Sequence, residues 1–272
     1  MSYCKFGIIT SHMSEGFLEN RQSQMVSTPW GEAKVYTGLV NGVNTAVILR
    51  YGDHADMASH LVNFRSNIWG LKKLGVKQII SQNAIGSCNP HIRPGDFVVP
   101  DDAMDFTKKR VLSFFENHAC WVRVDMSEPF CGNLRGYLLE ACAGERIPVC
   151  STGTFICTEG PRFETPAEVR YYNSIGGDII GTPMFPELVL AKEAGMCYAS
   201  LSMVINMCTG MGPAIYQSGD EGLMTAYEKN GMEDKVERVL KNLAGRLPEG
   251  TDCLCAGLPE KGFFGIRPEW YF

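Results

Sequence analysis

Short apolar runs alternate with longer amphipathic stretches through most of this chain. Phe6-Gly7-Ile8-Ile9-Thr10 reads as a buried strand leading into a turn, and Ala46-Val47-Ile48-Leu49 is a second apolar run. Leu61, Phe64, Ile68 and Leu71 fall at helical spacing and predict a helix from about Asp56 to Leu74. Gln78 to Ser81 then reads as a buried strand, with Asn83-Ala84-Ile85-Gly86-Ser87 as a loop at its C-terminal end. Phe97-Val98-Val99 is a strand signal stopped by Pro100, and a helix over Leu188–Gly195 leads into a strand over Cys197–Ile205. Val236, Val239, Leu240 and Leu243 repeat at i, i+3, i+4 and i+7, the mark of a helix with one buried face. Strands alternating with helices predict an α/β fold, a mostly parallel twisted sheet flanked by helices. Ligands in such sheets sit beyond the C-terminal strand ends, which points to the loops after Ile9, Leu49, Ser81 and Ile205. Residues 250–272 lack a period and read as an irregular tail, packed on a neighbour. No linker, repeat or low-complexity tract divides residues 1–272, so one domain is expected.

Composition narrows the classes. At 272 residues and 45% hydrophobic content the chain can bury one large core. A net charge of -5 argues against nucleic acid as a partner. No apolar run reaches the roughly 18 residues of a membrane span. The opening Met1-Ser2-Tyr3-Cys4-Lys5-Phe6-Gly7 has neither the charged nor the apolar region of a signal peptide, so a cytoplasmic location is expected. Eleven cysteines, odd in number and scattered, read as reduced and mostly buried thiols. Cys253-Leu254-Cys255 is the closest pair. A metal site needs about two further ligands, and none stands near in the chain, so no metal is expected.

The most informative stretch is Thr158-Glu159-Gly160-Pro161-Arg162-Phe163-Glu164-Thr165-Pro166-Ala167-Glu168. An aromatic beside a carboxylate suits a purine: the Phe163 ring can cover the base and Glu164 can accept from a ring N–H. The run resembles the base segment of the trimeric purine nucleoside and methylthioadenosine phosphorylases. Phe185-Pro186-Glu187-Leu188-Val189-Leu190-Ala191-Lys192-Glu193-Ala194-Gly195 is similar to the next block of that family. Supporting blocks are Asn67 to Lys72, Pro94-Gly95-Asp96 and Ser127 to Cys131, in order from about Lys5 to Leu243. The resemblance implies a single α/β domain around a mixed sheet, a homotrimer, a purine nucleoside substrate with phosphate as co-substrate, a role in purine salvage, and no cofactor.

It also implies roles for particular residues. Asn206, at the end of the strand, stands where the family places its leaving-group residue; asparagine there goes with 6-oxopurines and aspartate with 6-aminopurines. Asn206 and Glu164 are thus the catalytic candidates. Phe163 and the Ala84-Ile85-Gly86 segment complete the base site. Thr182 is expected at the sugar. Val236, Val239 and Leu240 are expected at the 5′ group, where relatives that prefer a free 5′-hydroxyl carry histidine in place of Val236.

The family's phosphate pattern is altered here. Thr10-Ser11-His12-Met13 replaces a glycine-rich turn, with His12 at the hydroxyl position. Arg50-Tyr51-Gly52-Asp53 keeps the arginine but has Tyr51 for histidine and Asp53 for a basic residue. Pro183, which has neither hydroxyl nor amide proton, aligns with a phosphate-binding Ser or Thr. Ser11, Arg50, Tyr51 and the Asn83-Ala84 backbone remain to hold an anion. Each lost charge-assisted bond removes about 1.5–3 kcal/mol. Three readings stay open: phosphorolysis of a 6-oxopurine nucleoside such as inosine or 5′-methylthioinosine, hydrolysis with Asp53 or His12 orienting water, and nucleoside binding without turnover.

Overall fold

The computed structural model describes residues 3–212, 228–248 and 250–271. Its centre is β1 (Phe6–Thr10), buried at every position, as a strand covered on both faces must be. β1 pairs in parallel with β4 (Val43–Leu49) and β5 (Gln78–Ser87). β12 (Cys197–Met207) runs parallel to β5 along its whole length. The far end of β5 also pairs with β11 (Ile179–Gly181), antiparallel, and β10 (Thr154–Thr158) and β7 (Asp102–Phe106) follow in parallel. An antiparallel hairpin, β2 (Glu19–Thr28) and β3 (Gly31–Val40), extends the other side from β4. β6 (Phe97–Val98) and β9 (Val149–Cys150) branch from β12, making an eleven-stranded mixed sheet.

Successive residues of the central strands feed opposite cores. Ile8, Val47 and Ile80 join one apolar cluster, while Ile9, Ile48 and Ile79 join the other. α2 (Gly132–Gly144) and α5 (Met232–Arg246) cover the first; α1 (Phe64–Lys73) and α4 (Met184–Glu193) cover the second. The result is the expected α/β domain with helices on both faces of a mixed sheet.

Three details depart from the sequence pattern. The first helix begins at Phe64, not Asp56. Asn63 caps it by accepting a 3.1 Å bond from the Ser66 amide, and Leu61 lies exposed in a preceding single turn. The stretch Asn83–Ser87 is strand rather than loop, because β12 supplies it with partners from Ser202 to Met207. The tail also folds back on its own chain. β13 (Phe263–Gly265) pairs with β8 (Cys120–Val122), after a short helix, α6 (Leu258–Gly262). Trp270 and Tyr271 enter an aromatic cluster with Trp30, Trp69, Phe114 and Phe115, and the Tyr271 hydroxyl donates to Glu193 O at 2.5 Å. Among the described residues no helix is long and apolar enough to cross a membrane.

Candidate active site

The register between β5 and β12 slips by one residue near its end: Val204 faces Ile85, and Asn206 faces Gly86. Ile205 is the extra residue of a bulge, which re-aims the side chain after it. Gly86 makes room for this: a Cβ there would stand 2.8 Å from Cys208 Sγ and 3.2 Å from Asn206 Nδ2. Asn206 Nδ2 donates to Met207 O at 2.9 Å, which turns the amide across the strand end. The cavity beside it encloses about 620 Å³ and is lined by Ala84, Ile85, Gly86, Phe163, Glu164, Thr182 and Asn206, among others. Every residue expected at the base, together with Thr182, borders this one cavity.

The carboxylate is held by its own loop. Thr158, the last residue of β10, donates its hydroxyl to Glu164 Oε1 at 2.7 Å. Arg162 pairs with Glu168 at 2.7 Å, and Glu168 in turn forms a capping box with Thr165 at the start of α3 (Pro166–Ser174). Phe163 is 37% exposed, a large apolar ring presented to the cavity. Arg110 fixes the base of the loop. Its buried guanidinium pairs with Glu159 at 3.0 Å and donates to the carbonyls of Glu159 at 2.8 Å and Phe185 at 2.6 Å, and to that of Thr182. It thereby ties the Glu164 loop to the segment that carries Thr182. Sequence reasoning missed Arg110, and it quoted Thr158 without giving it a role. Arg110 ends a Lys-Lys-Arg run that looks like a solvated basic patch, and nothing in its spacing reveals its partners.

A second cavity of about 300 Å³ is lined by Gln82 of β5, two residues before Ala84 at the first. Those two residues are neighbours on one side of the strand, roughly 7 Å apart. Val236 and Leu240 line it with Ile8, Met13 and Phe17, whereas Val239 turns into the core and does not. The same helix face also brings two carboxylates to it. His12 is exposed and pairs with Glu233 at 2.9 Å, and Ser14 donates to Glu237. Nothing in the chain pattern singles out these two carboxylates, because they sit on polar positions of an amphipathic helix, α5.

The ends of β1 and β4 meet beside Ser81 of β5. The Arg50 amide donates to Thr10 O at 2.8 Å, which brings Ser11 beside Arg50. The Arg50 guanidinium is fully buried. It meets Glu187 of α4 through two bonds, 2.5 and 3.1 Å, and donates to Ser81 Oγ at 2.6 Å and Gln82 O at 3.4 Å. Burial alone would lower its pKa, but the Glu187 carboxylate outweighs that and the net shift is upward. Glu187 also accepts from Ser81 and the Tyr198 hydroxyl. Asn83 is buried and donates to Ser200 Oγ at 2.9 Å. Tyr51 is half-buried beneath the Arg50 guanidinium, 5.7 Å away. Pro183 caps α4 without a side-chain bond. Asp53 is bound by Lys34 at 2.5 Å and by the Tyr36 hydroxyl at 2.6 Å, which hold its carboxyl below the usual range.

A cavity at the strand ends, edged by an amide, a carboxylate and an aromatic ring, suits an α/β enzyme that handles nucleosides. Residues 7–243 match the phosphorylase superfamily, and the chain belongs to that family, in the branch of the purine nucleoside and methylthioadenosine phosphorylases. It is 41% identical over 236 residues to the 6-oxopurine nucleoside phosphorylase of Pyrococcus furiosus, covering 85% of this chain and 86% of the relative. It is 41% identical over 229 residues to a probable S-methyl-5′-thioinosine phosphorylase of Methanothermobacter thermautotrophicus, covering 84% and 79%. Among solved structures, a methylthioadenosine phosphorylase from an antarctic soil metagenomic library superposes with a TM-score of 0.88 at 30% identity, covering 97% of this chain and 93% of that one.

Proposed function

We propose that the protein cleaves the N-glycosidic bond of a 6-oxopurine nucleoside, inosine or 5′-methylthioinosine, by phosphorolysis. The observation that carries this is the bulge-aimed Asn206 amide facing the cavity that also holds Glu164. The C1′–N9 bond breaks with its electron pair leaving on the purine. The Asn206 amide donates to O6 or N7 as negative charge builds there, and Glu164 accepts from a ring N–H. A phosphate oxygen then bonds to C1′, giving a sugar 1-phosphate. Ser11, Tyr51, the Ala84 amide and the Arg50 guanidinium are the donors proposed for the anion. The names of the Pyrococcus and Methanothermobacter relatives support the 6-oxopurine class. The 5′ group is placed against Val236 and Leu240, with Glu233 and Glu237 positioned to accept from a 5′-hydroxyl.

Hydrolysis is not favoured. Asp53 spends its oxygens on Lys34 and Tyr36, and a carboxyl with a lowered pKa is a weaker base. Incubating inosine and 5′-methylthioinosine with and without phosphate tests the proposal. Release of base only with phosphate, alongside a sugar 1-phosphate, is expected; equal release of free sugar without phosphate overturns it. We place the enzyme in cytoplasmic purine salvage, as a homotrimer. Light scattering reads the assembly directly, and a stable monomer at micromolar concentration counts against it.

A further inference from the structure

Four cysteines distant in the chain meet on the side of the sheet opposite the aromatic cluster. Cys131 occupies the N-cap of α2, Cys197 opens β12, and Cys253 and Cys255 flank Leu254 in the C-terminal segment. Their sulfur atoms all lie within 4.8 Å of one another, with Cys197 and Cys253 3.2 Å apart. Thiolates bound about 2.3 Å from a tetrahedral ion stand roughly 3.8 Å from each other, a separation that falls within the 4.8 Å spread of these four sulfurs. Two disulfides require closeness only within each pair; here all four converge. Among the described residues no other group of this kind occurs.

The surroundings suit a filled tetrathiolate, which with a divalent ion carries two negative charges. The N-terminus of the thirteen-residue α2 faces Cys131 with its positive end. Lys192 lies close enough to interact with the charges of Cys131 and Cys255, and its ammonium is anchored by the carbonyls of Asp125 at 2.9 Å and Glu128 at 2.6 Å. The backbone of Cys131 is fixed by its amide donating to Tyr198 O at 2.9 Å. Cys131 and Cys197 are buried, while Cys253 and Cys255 are half-buried at the wall of an open cavity of about 930 Å³, which gives an ion a way in.

We propose that Cys131, Cys197, Cys253 and Cys255 form a structural zinc site that clips the C-terminal segment to α2 and β12. Soft thiolates in a closed set of four leave no open coordination position, so the ion stabilises and does not catalyse. It fastens the segment whose Trp270 and Tyr271 complete the aromatic cluster. The full chain, purified with a reductant and loaded with zinc, should bind one zinc per chain. Cobalt(II) in its place should show the thiolate charge-transfer and intense visible bands of a tetrahedral sulfur site. Cys255→Ser should lose those bands, and chelation should lower the wild-type Tm while Cys255→Ser remains unmoved by chelator. Wild-type protein that takes up no zinc and is lighter by the hydrogens of two disulfides would refute the site. So would four titratable thiols that persist unchanged under excess zinc.

Discussion

In the proposed reading Asn206 selects the base because its side chain is an amide: it can donate where a 6-oxopurine offers only acceptors. Asn206→Ala should lower kcat/KM for inosine by about 10- to 100-fold, the equivalent of roughly 1–3 kcal/mol for one lost polar contact in a closed site. Asn206→Asp should raise the ratio of adenosine to inosine cleavage, since a carboxylate repels O6 and can accept from a 6-amino group. Steady-state kinetics on both nucleosides check both outcomes, and an unchanged ratio in Asn206→Asp removes Asn206 from base selection. Thr158→Val removes the 2.7 Å bond that orients Glu164 and should raise KM several-fold with the fold intact, about 1 kcal/mol of lost positioning. Phe163, Glu164 and Asn206 were legible because they stand in long ordered segments. Thr158 opens one of those segments, but neither its bond to Glu164 nor the part played by Arg110 was legible. Their work is to hold backbone carbonyls and a carboxylate brought close only by folding, and such contacts leave no spacing in the chain.

Element by element, the strands buried on both faces were the legible part. β1 is returned end for end, β12 runs two residues beyond the Cys197–Ile205 reading, and β4 begins three residues before the Ala46–Leu49 run, where Asn44 and Thr45 hid its start. β2 escaped because it is polar and almost wholly exposed, held by its hairpin partner β3 rather than by an apolar face. β5 was cut short because polar Gln82 and Asn83 interrupt its apolar run; their bonds to neighbouring strands are what make them tolerable inside it. At the end of α4, burial raises the Glu193 carboxyl to about 7, partly opposed by its bonds from the Phe114 amide and Ser113. An unfolded glutamate titrates near 4.3, so between about pH 4.5 and 7 the folded chain binds more protons than the unfolded one. Stability should therefore be greatest below that window and fall as pH rises through it, by on the order of 3 kcal/mol from this group. Glu193→Gln should flatten that slope and leave the variant more stable than wild type at pH 8, its oxygen still accepting from Phe114. Urea midpoints at several pH values measure it; an unaltered slope in Glu193→Gln means the titration lies elsewhere.

At the scale of the molecule, one buried ion pair joins the parts that the site depends on. Arg50 follows β4, Ser81 lies on β5, Tyr198 on β12 and Glu187 on α4, and all four side chains share bonds. The chain pattern showed Arg50 and Glu187 only as members of separate blocks, 137 residues apart, and gave Arg50 to the anion alone. The structure gives it a second task. Removing one partner of such a pair strands a charge without solvent, so Arg50→Met should cost about 3–5 kcal/mol. Replacing both with apolar residues of similar size, Arg50→Met with Glu187→Met, should restore at least half of that loss, because no uncompensated charge remains. The double variant then separates structure from chemistry. If Arg50 also binds the anion as proposed, the refolded double variant should still need far more phosphate to reach half-maximal rate, by a factor of ten or more for a lost charge-assisted bond of about 1.5–3 kcal/mol. Denaturant melts and phosphate titrations on the same preparations give both numbers. A double variant with restored stability and an unchanged phosphate KM assigns Arg50 to the framework and leaves the anion to Ser11, Tyr51 and the Ala84 amide.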